Sequence, residues 1–473
     1  MSPIRKLVFT TFAVFCAISI FYVISDAYRS DSQLFIPYKA NKLKVSNKDE
    51  SVVKEKQVTV TASDTAKTQP TRPASLLDDI PAHCDDPYLR PGFLRMPWRD
   101  ESRETYVGTR WIPYYNDVLA QQPLSPAAQY PNPDLAQAPE LIFKDSSVPT
   151  SLRTQAPYDW MSLLYQFTLS EVVPIPAETM QEYINRLSWL RNKRVLMLGD
   201  SVDRVMIYNF CKELKAHESN FQNSLMGKHT TAYCRIPSLN FTIIHWHFPS
   251  MLSARPDWWW IPYIRHVPFE ERVEKLFLAN QTEDLGTAVA GMNGRAPDLI
   301  IYQSLLWDWM AFNQGDQDEP ARDLFWSELD FYRSRLSMFV DYFRNLFGAD
   351  VPMMYRAVIP THEMVDSSVI LRQLDTMARH VADEKGVEVF EWGHTMDGYL
   401  DEYRDKLHVR HGPHSYLYAN MLLYYLFRAV GGKETRGQII EWPANDTEKA
   451  AERWNLGKAW EECHPYNMRR ASH

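Results

Sequence analysis

Three polar residues have the types and the spacing of an acyl-transfer site. Ser201 follows an apolar run at 194–199 and the residue Asp200. Much later in the chain, Asp405 stands three positions before His408. A carboxylate at this spacing can hold one imidazole nitrogen while the other accepts the proton of a serine hydroxyl. The sequence therefore predicts Ser201 as a nucleophile, His408 as its base and Asp405 as the group that orients the imidazole.

The nucleophile needs a strand and a helix to place its hydroxyl. The apolar run ends at a small-residue turn, Gly199-Asp200-Ser201, and the residues after it have apolar side chains at helical spacing. Ser201 is thus expected at the carboxyl end of a buried strand, where open α/β sheets bind their ligands. The first amides of the following helix would then point at the reacting group.

Strands and helices alternate through the rest of the chain. Strands are predicted at 239–248, 298–304, 351–358 and 387–390, and helices at 322–347, 367–385 and 415–426. This alternation predicts an α/β fold with a parallel sheet covered by helices on both faces. The strand ends then bring Ser201, the segment 304–308 and His408 to one rim of the sheet.

Composition limits the class of protein and of partner. The 473 residues are 45% hydrophobic and 13% aromatic, which is enough apolar material for one large core. The formal net charge is −8 and no dense basic run occurs, so nucleic acid is not expected as a partner. The many tryptophan and tyrosine residues suit the stacking of sugar rings, although a large aromatic core gives the same composition.

The amino terminus has the pattern of a membrane anchor. Arg5 and Lys6 precede the uncharged stretch 7–25, which as a helix would be roughly 28 Å long, close to the thickness of a bilayer core. The basic flank predicts a lumenal body, in a single-pass type II protein of the Golgi or another secretory-pathway membrane. A long cleavable signal peptide is the alternative. The expected organisation is a cytosolic tail at 1–6, the anchor at 7–25, a disordered stem at 26–80 and a lumenal domain at 81–473 with its core at about 190–430.

Sequons and cysteines agree with a lumenal body. Asn-x-Thr sequons begin at Asn240, Asn280 and Asn445. Four cysteines lie outside the apolar stretch and could form two disulfides, in any of three connectivities, or remain free thiols. They are Cys84, Cys211, Cys234 and Cys463. No Cys-x-x-Cys pair occurs, and Gly412 and Pro413 interrupt the histidines after Asp405, so no metal site is expected.

These motifs resemble those of the GDSL/SGNH superfamily. Gly199-Asp200-Ser201 follows a strand, Asp405-Lys-Leu-His408 precedes a final helix, and Ser304-Leu-Leu-Trp-Asp308 ends a middle strand. Their order and the expected anchoring are most similar to the PC-esterase group, which includes plant trichome-birefringence-like proteins and fungal Golgi relatives that act as glycan O-acetyltransferases and esterases. The resemblance implies a flavodoxin-like three-layer α/β/α sandwich.

The same resemblance implies roles for the site residues. Ser201 would form an acyl-enzyme and donate its backbone amide to the oxyanion, while His408 would act as general base and acid and Asp405 would orient it. No cofactor is implied, and a donor derived from acetyl-CoA is one source of the acetyl group. Further support of the oxyanion site is expected from Gly199, Asp200 and Asp308.

Two features depart from the superfamily pattern. The glycine of the oxyanion hole is not evident after the second strand, which runs into the segment 245–250, and Leu305-Leu-Trp-Asp308 replaces the Gly-x-Asn-Asp block. Asp308 is therefore a second candidate for orienting the histidine, although a solvent-facing loop position is the favoured interpretation. His245 and His247 are expected to be strand residues rather than ligands.

Four further residues are candidates for substrate binding, each with a structural alternative. Trp258 and Trp259 could stack against sugar rings or form a packed aromatic cluster. Arg356 could steady an anionic or acetylated substrate, but a salt-bridged structural role is favoured. His414 is close enough to His408 in sequence to compete with it, and it could equally lie at the start of the last helix.

Two hypotheses for function follow. The first is a glycan O-acetyltransferase or esterase that acts on sugar hydroxyls of a polysaccharide or glycoprotein through an acetyl-serine intermediate, with the acyl donor supplied by another protein or a soluble carrier. The second is a catalytically silent lumenal glycan-binding or scaffold protein, which the missing glycine and asparagine favour and the intact triad opposes. A metal-dependent glycosyltransferase is disfavoured because Asp316 and Asp318 follow no strand directly.

Overall fold

The computed structural model describes the part of the chain that contains the expected catalytic motifs. Its ranges are 80–96, 105–114, 156–221, 231–248, 250–252, 268–278, 295–303, 305–312, 322–360, 368–405, 407–443 and 460–468. The chain divides into two units, Met1–Arg72 and Pro73–His473, and all of these residues belong to the second. The predicted anchor at 7–25 lies outside them. No helix within these ranges has both the length and the apolar character that a bilayer crossing requires.

The strands form one large sheet and two small ones. Their bounds are β1 (Gly92–Arg95), β2 (Arg110–Pro113), β3 (Arg194–Gly199), β4 (Glu218–Asn220), β5 (Thr231–Ile236), β6 (Phe241–His247), β7 (Leu299–Tyr302), β8 (Met353–Arg356), β9 (Glu388–Phe390), β10 (Lys433–Thr435) and β11 (Gln438–Glu441). The large sheet has the order β4-β5-β6-β3-β7-β8-β9, while β1 pairs with β2 and β10 with β11.

The large sheet is mostly parallel. From β6 through β3, β7 and β8 to β9, every pairing is parallel, and in chain order these five strands run 2-1-3-4-5. That order is typical of flavodoxin-like sheets. The remaining strands, β5 and β4, add an antiparallel edge beside β6. The predicted parallel sheet is therefore a mixed one. Of the two edge strands, β4 has no sequence signal, because Glu218–Asn220 includes no apolar side chain, whereas β5 does alternate apolar residues and was not predicted.

Helices cover both faces of this sheet. Their bounds are α1 (Trp160–Ser170), α2 (Ala177–Arg186), α3 (Ser201–Glu213), α4 (Phe269–Arg272), α5 (Leu305–Phe312), α6 (Trp326–Phe347), α7 (Ser368–Lys385), α8 (Trp392–Thr395) and α9 (Pro413–Ala429). Short 3₁₀ turns occupy Ala82–Cys84, Pro87–Leu89, Ser188–Leu190, Pro237–Leu239 and Leu400–Glu402, and Val273–Leu278 is a π-helix.

Side chains alternate along the strands between two cores. Val195 and Met197 of β3 face a core shared with α1, α3 and α9, whereas Leu196 and Leu198 face a core shared with α6 and α7. Helix α9 is buried at every one of its positions, and its polar residues His414, Ser415, Asn420 and Arg428 have hydrogen-bond partners inside the protein. It lies inside the first core and carries the chain away from the catalytic loop.

The bounds of the predicted strands and helices differ from the observed bounds by a few residues. The strand expected at 239–248 is β6, which begins two residues later because Leu239 ends a 3₁₀ turn and Asn240 has a left-handed backbone with φ of 47°. Before α1, the segments 80–96 and 105–114, called the wrapping layer below, contain the antiparallel pair of β1 and β2. That layer is attached to α9, since Asn420 Nδ2 donates to Tyr88 Oη at 3.1 Å.

Two disulfides join distant parts of the chain. Cys84 pairs with Cys463, which ties the turn at the start of the wrapping layer to the helical segment 460–468. Cys211 pairs with Cys234 and ties α3 to β5. The sequence left three connectivities and free thiols open, and the structure has this single arrangement.

The pairing predicts the outcome of a peptide map. Digestion without reductant should release one peptide pair joined through Cys84 and Cys463 and another joined through Cys211 and Cys234. Removing the first bond with the double variant Cys84→Ala, Cys463→Ala should lower the free energy of unfolding by about 2–5 kcal/mol, because the long chain loop it closes becomes free in the unfolded state. A map that links Cys84 to Cys211 or Cys234 would contradict the arrangement.

Candidate active site

The nucleophile turn is built from the end of β3 and the start of α3. Asp200 caps the helix, since its Oδ1 accepts from Val202 N at 2.8 Å and so satisfies one of the free helix amides. A Cβ at Gly199 would lie 1.9 Å from Asp203 Oδ2, so glycine lets the helix begin this close to the strand. Ser201 is thereby presented beside the point where the strand order reverses.

The structure brings the three predicted catalytic residues together. His408 Nε2 lies 2.8 Å from Ser201 Oγ, and His408 Nδ1 lies 3.0 Å from Asp405 Oδ2. An anionic Asp405 requires the proton of a neutral imidazole to be on Nδ1, which leaves Nε2 as the acceptor for the serine hydroxyl. The side chains of Asp405 and His408 are 32% and 21% exposed, so a substrate has access to the site.

Asp405 is held by its own loop. Its Oδ1 accepts from His408 N at 2.7 Å and from Leu407 N at 2.9 Å, a local turn that explains why the carboxylate stands three residues before the histidine. Burial acts to raise the pKa of Asp405, but the hydrogen bonds from His408 and Leu407 hold that pKa well below its usual range. The carboxylate is therefore charged at neutral pH and can stabilise a positive charge on the imidazole it contacts.

A buried ion pair lies directly beneath the nucleophile turn. Arg356 donates from Nε to Asp203 Oδ1 at 2.6 Å and from Nη2 to Asp203 Oδ2 at 3.0 Å, and Nη2 also reaches Gln303 Oε1 at 2.5 Å. The Arg356 residue is 1% exposed. The candidate role of Arg356 in substrate binding is therefore wrong, and the favoured alternative, a salt-bridged structural position at the end of β8, is the one observed.

Two buried acids, Asp203 and Asp200, interact electrostatically with Arg356. Burial, and next the neighbouring Asp203 carboxylate, raise the pKa of Asp200 to about 6, although Arg356 acts in the opposite direction. Asp200 thus caps the helix at an energetic cost when it is charged. Asp200 directly precedes Ser201, so the nucleophile turn itself contains a titratable group.

Among the described residues, one amide at the start of α3 that could donate to an oxyanion is already used. Val202 N is already bonded to Asp200. At the end of β6, His245 Nε2 lies 3.1 Å from Gly199 O, and His247 is the last residue of the strand. Burial, followed by nearby arginines, lowers the pKa of His247 to about 3, and its buried Nδ1 has no hydrogen-bond partner within the described structure. Both histidines are strand residues, as expected.

Asp308 does not occupy the solvent-facing loop that the sequence suggested. The segment expected at the end of a strand is instead the first turn of α5, and Asp308 is 0% exposed on that helix. Its Oδ1 accepts from Ser250 Oγ at 2.7 Å and from Met251 N at 2.9 Å. A buried carboxylate needs hydrogen-bond donors, and the turn at 250–252 supplies them to Asp308. His408 Nδ1 is held by Asp405, so Asp308 is not the orienting carboxylate.

His414 is likewise buried rather than open to substrate. Its ring is 0% exposed, with Nε2 2.9 Å from Thr395 O and Nδ1 3.8 Å from Glu402 Oε2. Glu402 also binds Arg410, at 3.2 Å, and a Cβ at Gly412 would come within 2.7 Å of its carboxylate. The proposed substrate contact of His414 is therefore wrong, and the residue stabilises the inside of the catalytic loop.

Of the remaining candidate residues, the structure describes only some. Asn240 is exposed in the turn before β6, where its Nδ2 donates to Asn192 Oδ1 at 2.8 Å. Sequence reasoning missed Asp203 and Glu402. For Asp203 the available signal was a charged residue at a position where helical spacing predicts a buried side chain, whereas Glu402 lies in a short 3₁₀ turn and had no such signal. Outside the described residues lie Trp258, Trp259, Asn280 and Asn445.

Metal-binding residue types are grouped at one place in the described part of the chain. His83, Cys84 and Cys463 have ligand atoms within 4.8 Å of one another. The two sulfurs are bonded to each other in the disulfide and are not available as thiolates.

No protein-family model and no curated protein matches the sequence. Among solved structures, the chain is similar to a putative GDSL-like lipase from Parabacteroides merdae, with 14% identity and a TM-score of 0.31 over 50% of this chain and 96% of the lipase. It is also similar to Axe2, an acetylxylan esterase from Geobacillus stearothermophilus, with 15% identity and a TM-score of 0.28 over 50% of this chain and 94% of the esterase. At such scores the likeness assigns neither family nor activity, and the strand order and the triad geometry stand on their own.

The raised pKa of Asp200 predicts a pH-dependent stability. A folded-state pKa of about 6 lies above the usual value of 3.8, so the charged carboxylate destabilises the fold above pH 6 and this cost disappears as the pH falls below 3.8. Asp200→Asn keeps an oxygen for the helix cap and removes the charge. The variant should be more stable than wild type by about 1–3 kcal/mol at pH 7 and no more stable near pH 4, as measured by urea unfolding. A difference that does not change with pH would contradict the assignment.

Proposed function

We propose that this chain is a serine acyltransferase or esterase that works through an acyl-serine intermediate. The observation that carries the proposal is the continuous contact from Asp405 through His408 to Ser201, at 3.0 and 2.8 Å. These residues are far apart in sequence, yet the Ser201 hydroxyl contacts the His408 imidazole and that imidazole contacts the Asp405 carboxylate. That is the arrangement required to activate a serine.

The chemistry follows from these contacts. Ser201 Oγ attacks the acyl carbonyl as its proton passes to His408 Nε2, and the same proton then leaves with the departing alcohol or thiol. The acyl-serine so formed is attacked by a second hydroxyl, which His408 deprotonates, and the proton returns to Ser201 as the acyl group departs. Water as the second nucleophile gives hydrolysis, and a sugar hydroxyl gives transfer.

We propose an O-acetylated glycan, or a glycan acceptor, as the substrate. The support for this part is the sequence resemblance to glycan O-acetyltransferases and esterases, together with the sequons and the expected anchor at 7–25. The two disulfides agree with an oxidising compartment, because disulfides persist mainly in secreted and lumenal proteins. A transferase of this kind would take its acetyl group from a donor derived from acetyl-CoA, delivered by another protein or a soluble carrier.

A catalytically silent glycan-binding or scaffold protein of the same fold is the second candidate. The observation that favours it is that Val202 N, one of the described amides at the start of α3, is bonded to Asp200 and so is not free to donate to an oxyanion. An oxyanion hole contributes a large share of the rate in acyl transfer. A protein without one would keep the triad geometry and turn over slowly or not at all.

Labelling with a serine-directed phosphonate distinguishes the two candidates. Intact mass should show one phosphonyl adduct on the wild-type body and none on Ser201→Ala. Asp405→Asn should label about 10³–10⁴-fold more slowly, because the imidazole loses its tautomer and orientation. Ser188→Ala is the control, since that hydroxyl lies in a surface turn and donates to Asn185 O. An unlabelled wild type with a normal unfolding transition would favour the silent protein.

The proposed lumenal location predicts glycosylation of an exposed asparagine. Asn240 lies at the surface in a turn, so protein made in a secretory host should lose one glycan increment of mass in Asn240→Gln. Endoglycosidase treatment should lower the mass of wild type as well. Asn220→Gln is the control, because Asn220 is not followed by a sequon threonine or serine. A protein with no glycan at any site would contradict the lumenal placement.

A further inference from the structure

The loop that carries His408 is attached to the same helix that begins with Ser201. In the third turn of α3, Asn209 Nδ2 donates to Val409 O at 3.3 Å. Val409 directly follows the catalytic histidine and is 0% exposed in the first core. The contact fixes the backbone next to the imidazole relative to the helix.

A second contact lies one turn further along α3. His411 Nε2 is 2.8 Å from Glu213 Oε2. The other oxygen of Glu213 accepts from Tyr106 N at 2.8 Å and from the Thr105 hydroxyl. The ring of Tyr106 also packs edge-on against that of His411, at 5.1 Å between centroids. One carboxylate thus joins the segment 105–114, the nucleophile helix and the catalytic loop.

Stability alone does not account for an acid at this position. Glu213 is 3% exposed, and removing a carboxylate from water costs more than its contacts usually return, so apolar side chains of similar volume would hold the same elements together at least as well. What hydrogen bonds to both carboxylate oxygens add is a defined geometry. Geometry matters here because a displacement of about 1 Å between nucleophile and base costs about 100-fold in rate.

Helix α3 holds the anchoring residues at a fixed distance from Ser201. An α-helix rises 1.5 Å per residue and is stiff over a few turns, so Ser201 at its start and Glu213 near its end keep a fixed separation. His408 belongs to a loop without regular structure, apart from the single bridge between Tyr403 and Val409. Anchors at Asn209 and Glu213 place that loop in the same rigid frame as the nucleophile.

We propose that Glu213, through His411, and Asn209, through Val409, are positioning residues that hold His408 in reach of Ser201. Neither side chain contacts Ser201, His408 or Asp405 in the described hydrogen bonds, so neither is a catalytic residue. The catalytic consequence rests on the proposed function, whereas the anchoring of the loop does not. Thr105 and Tyr106 extend the same support to the wrapping layer.

Hydrogen exchange tests the anchoring without reference to activity. In Glu213→Ala, amides of peptides that cover 403–411 should exchange at least about tenfold faster than in wild type, because the loop loses one of its two contacts to α3 and keeps only the one from Asn209. Glu213→Gln retains an acceptor for Tyr106 N and an amide for His411, and it should restore most of the protection. Glu388→Gln is the matched control, since Glu388 is a buried acid that pairs with Arg428 at 3.2 Å and has no contact with this loop.

Phosphonate labelling then tests the consequence for catalysis. Glu213→Ala should label about 10- to 100-fold more slowly than wild type, with Glu213→Gln close to wild type. With an ester substrate, the loss should fall on kcat and leave KM within about twofold, because no substrate contact is removed. Glu388→Gln should lower the melting temperature and keep the wild-type labelling rate, which separates positioning from general loss of stability.

The outcomes separate this proposal from the proposed function. Unchanged exchange in Glu213→Ala overturns the anchoring, and faster exchange with an unchanged labelling rate overturns the positioning role. Equal slowing in Glu213→Ala and Glu388→Gln would also overturn it, since stability would then be the cause. If wild type is not labelled, the serine mechanism fails and with it the catalytic role, whereas the exchange result still decides whether Glu213 holds the loop.

Discussion

The bidentate ion pair between Arg356 and Asp203 is the interaction on which the site depends. It joins the end of β8 to the first turn of α3, and Asp203 fills the space that a side chain at position 199 would need. Breaking a buried pair by removing one partner typically costs about 3–5 kcal/mol, because the other charge is left without compensation. The pair therefore fixes the start of α3 relative to β8, and the half-buried Ser201 is the first residue of that helix.

The loop that carries Asp405 and His408 is held in place by a different set of contacts. Asp405 arranges its own loop through two backbone amides, Glu402 binds that loop from within, and α9 closes the core behind it. The two halves meet where His408 faces Ser201. A strand-and-helix frame thus fixes the nucleophile, and a polar loop tied to that frame brings the base. This division agrees with the general tendency of α/β sheets to collect reactive groups on loops at the strand ends.

The features that could be predicted from sequence are those with a local signature. The strand, small-residue turn and helix around Ser201 follow from hydrophobic spacing, and Asp405 precedes His408 by three residues because of a short hydrogen-bonded turn. Arg356 and Asp203 are 153 residues apart and have no local signal. Asp308 was taken for a loop residue because a buried acid in an apolar run is rare, and its donors at Ser250 and Met251 are visible only in three dimensions. The polar edge strand β4 lacks the apolar alternation that marks a strand.

The complete burial of α9 has a consequence for how the protein is made. Residues 413–429 are packed at the centre of the first core, yet they are translated after all five parallel strands. Chains leave the ribosome amino terminus first, so the strands and α3 must wait for this helix before their apolar faces are covered. The same delay applies to His408, which emerges just ahead of it. A nascent chain thus contains Ser201 before His408, and the contact between Ser201 Oγ and His408 Nε2 can form only after α9 has been made and the core has closed.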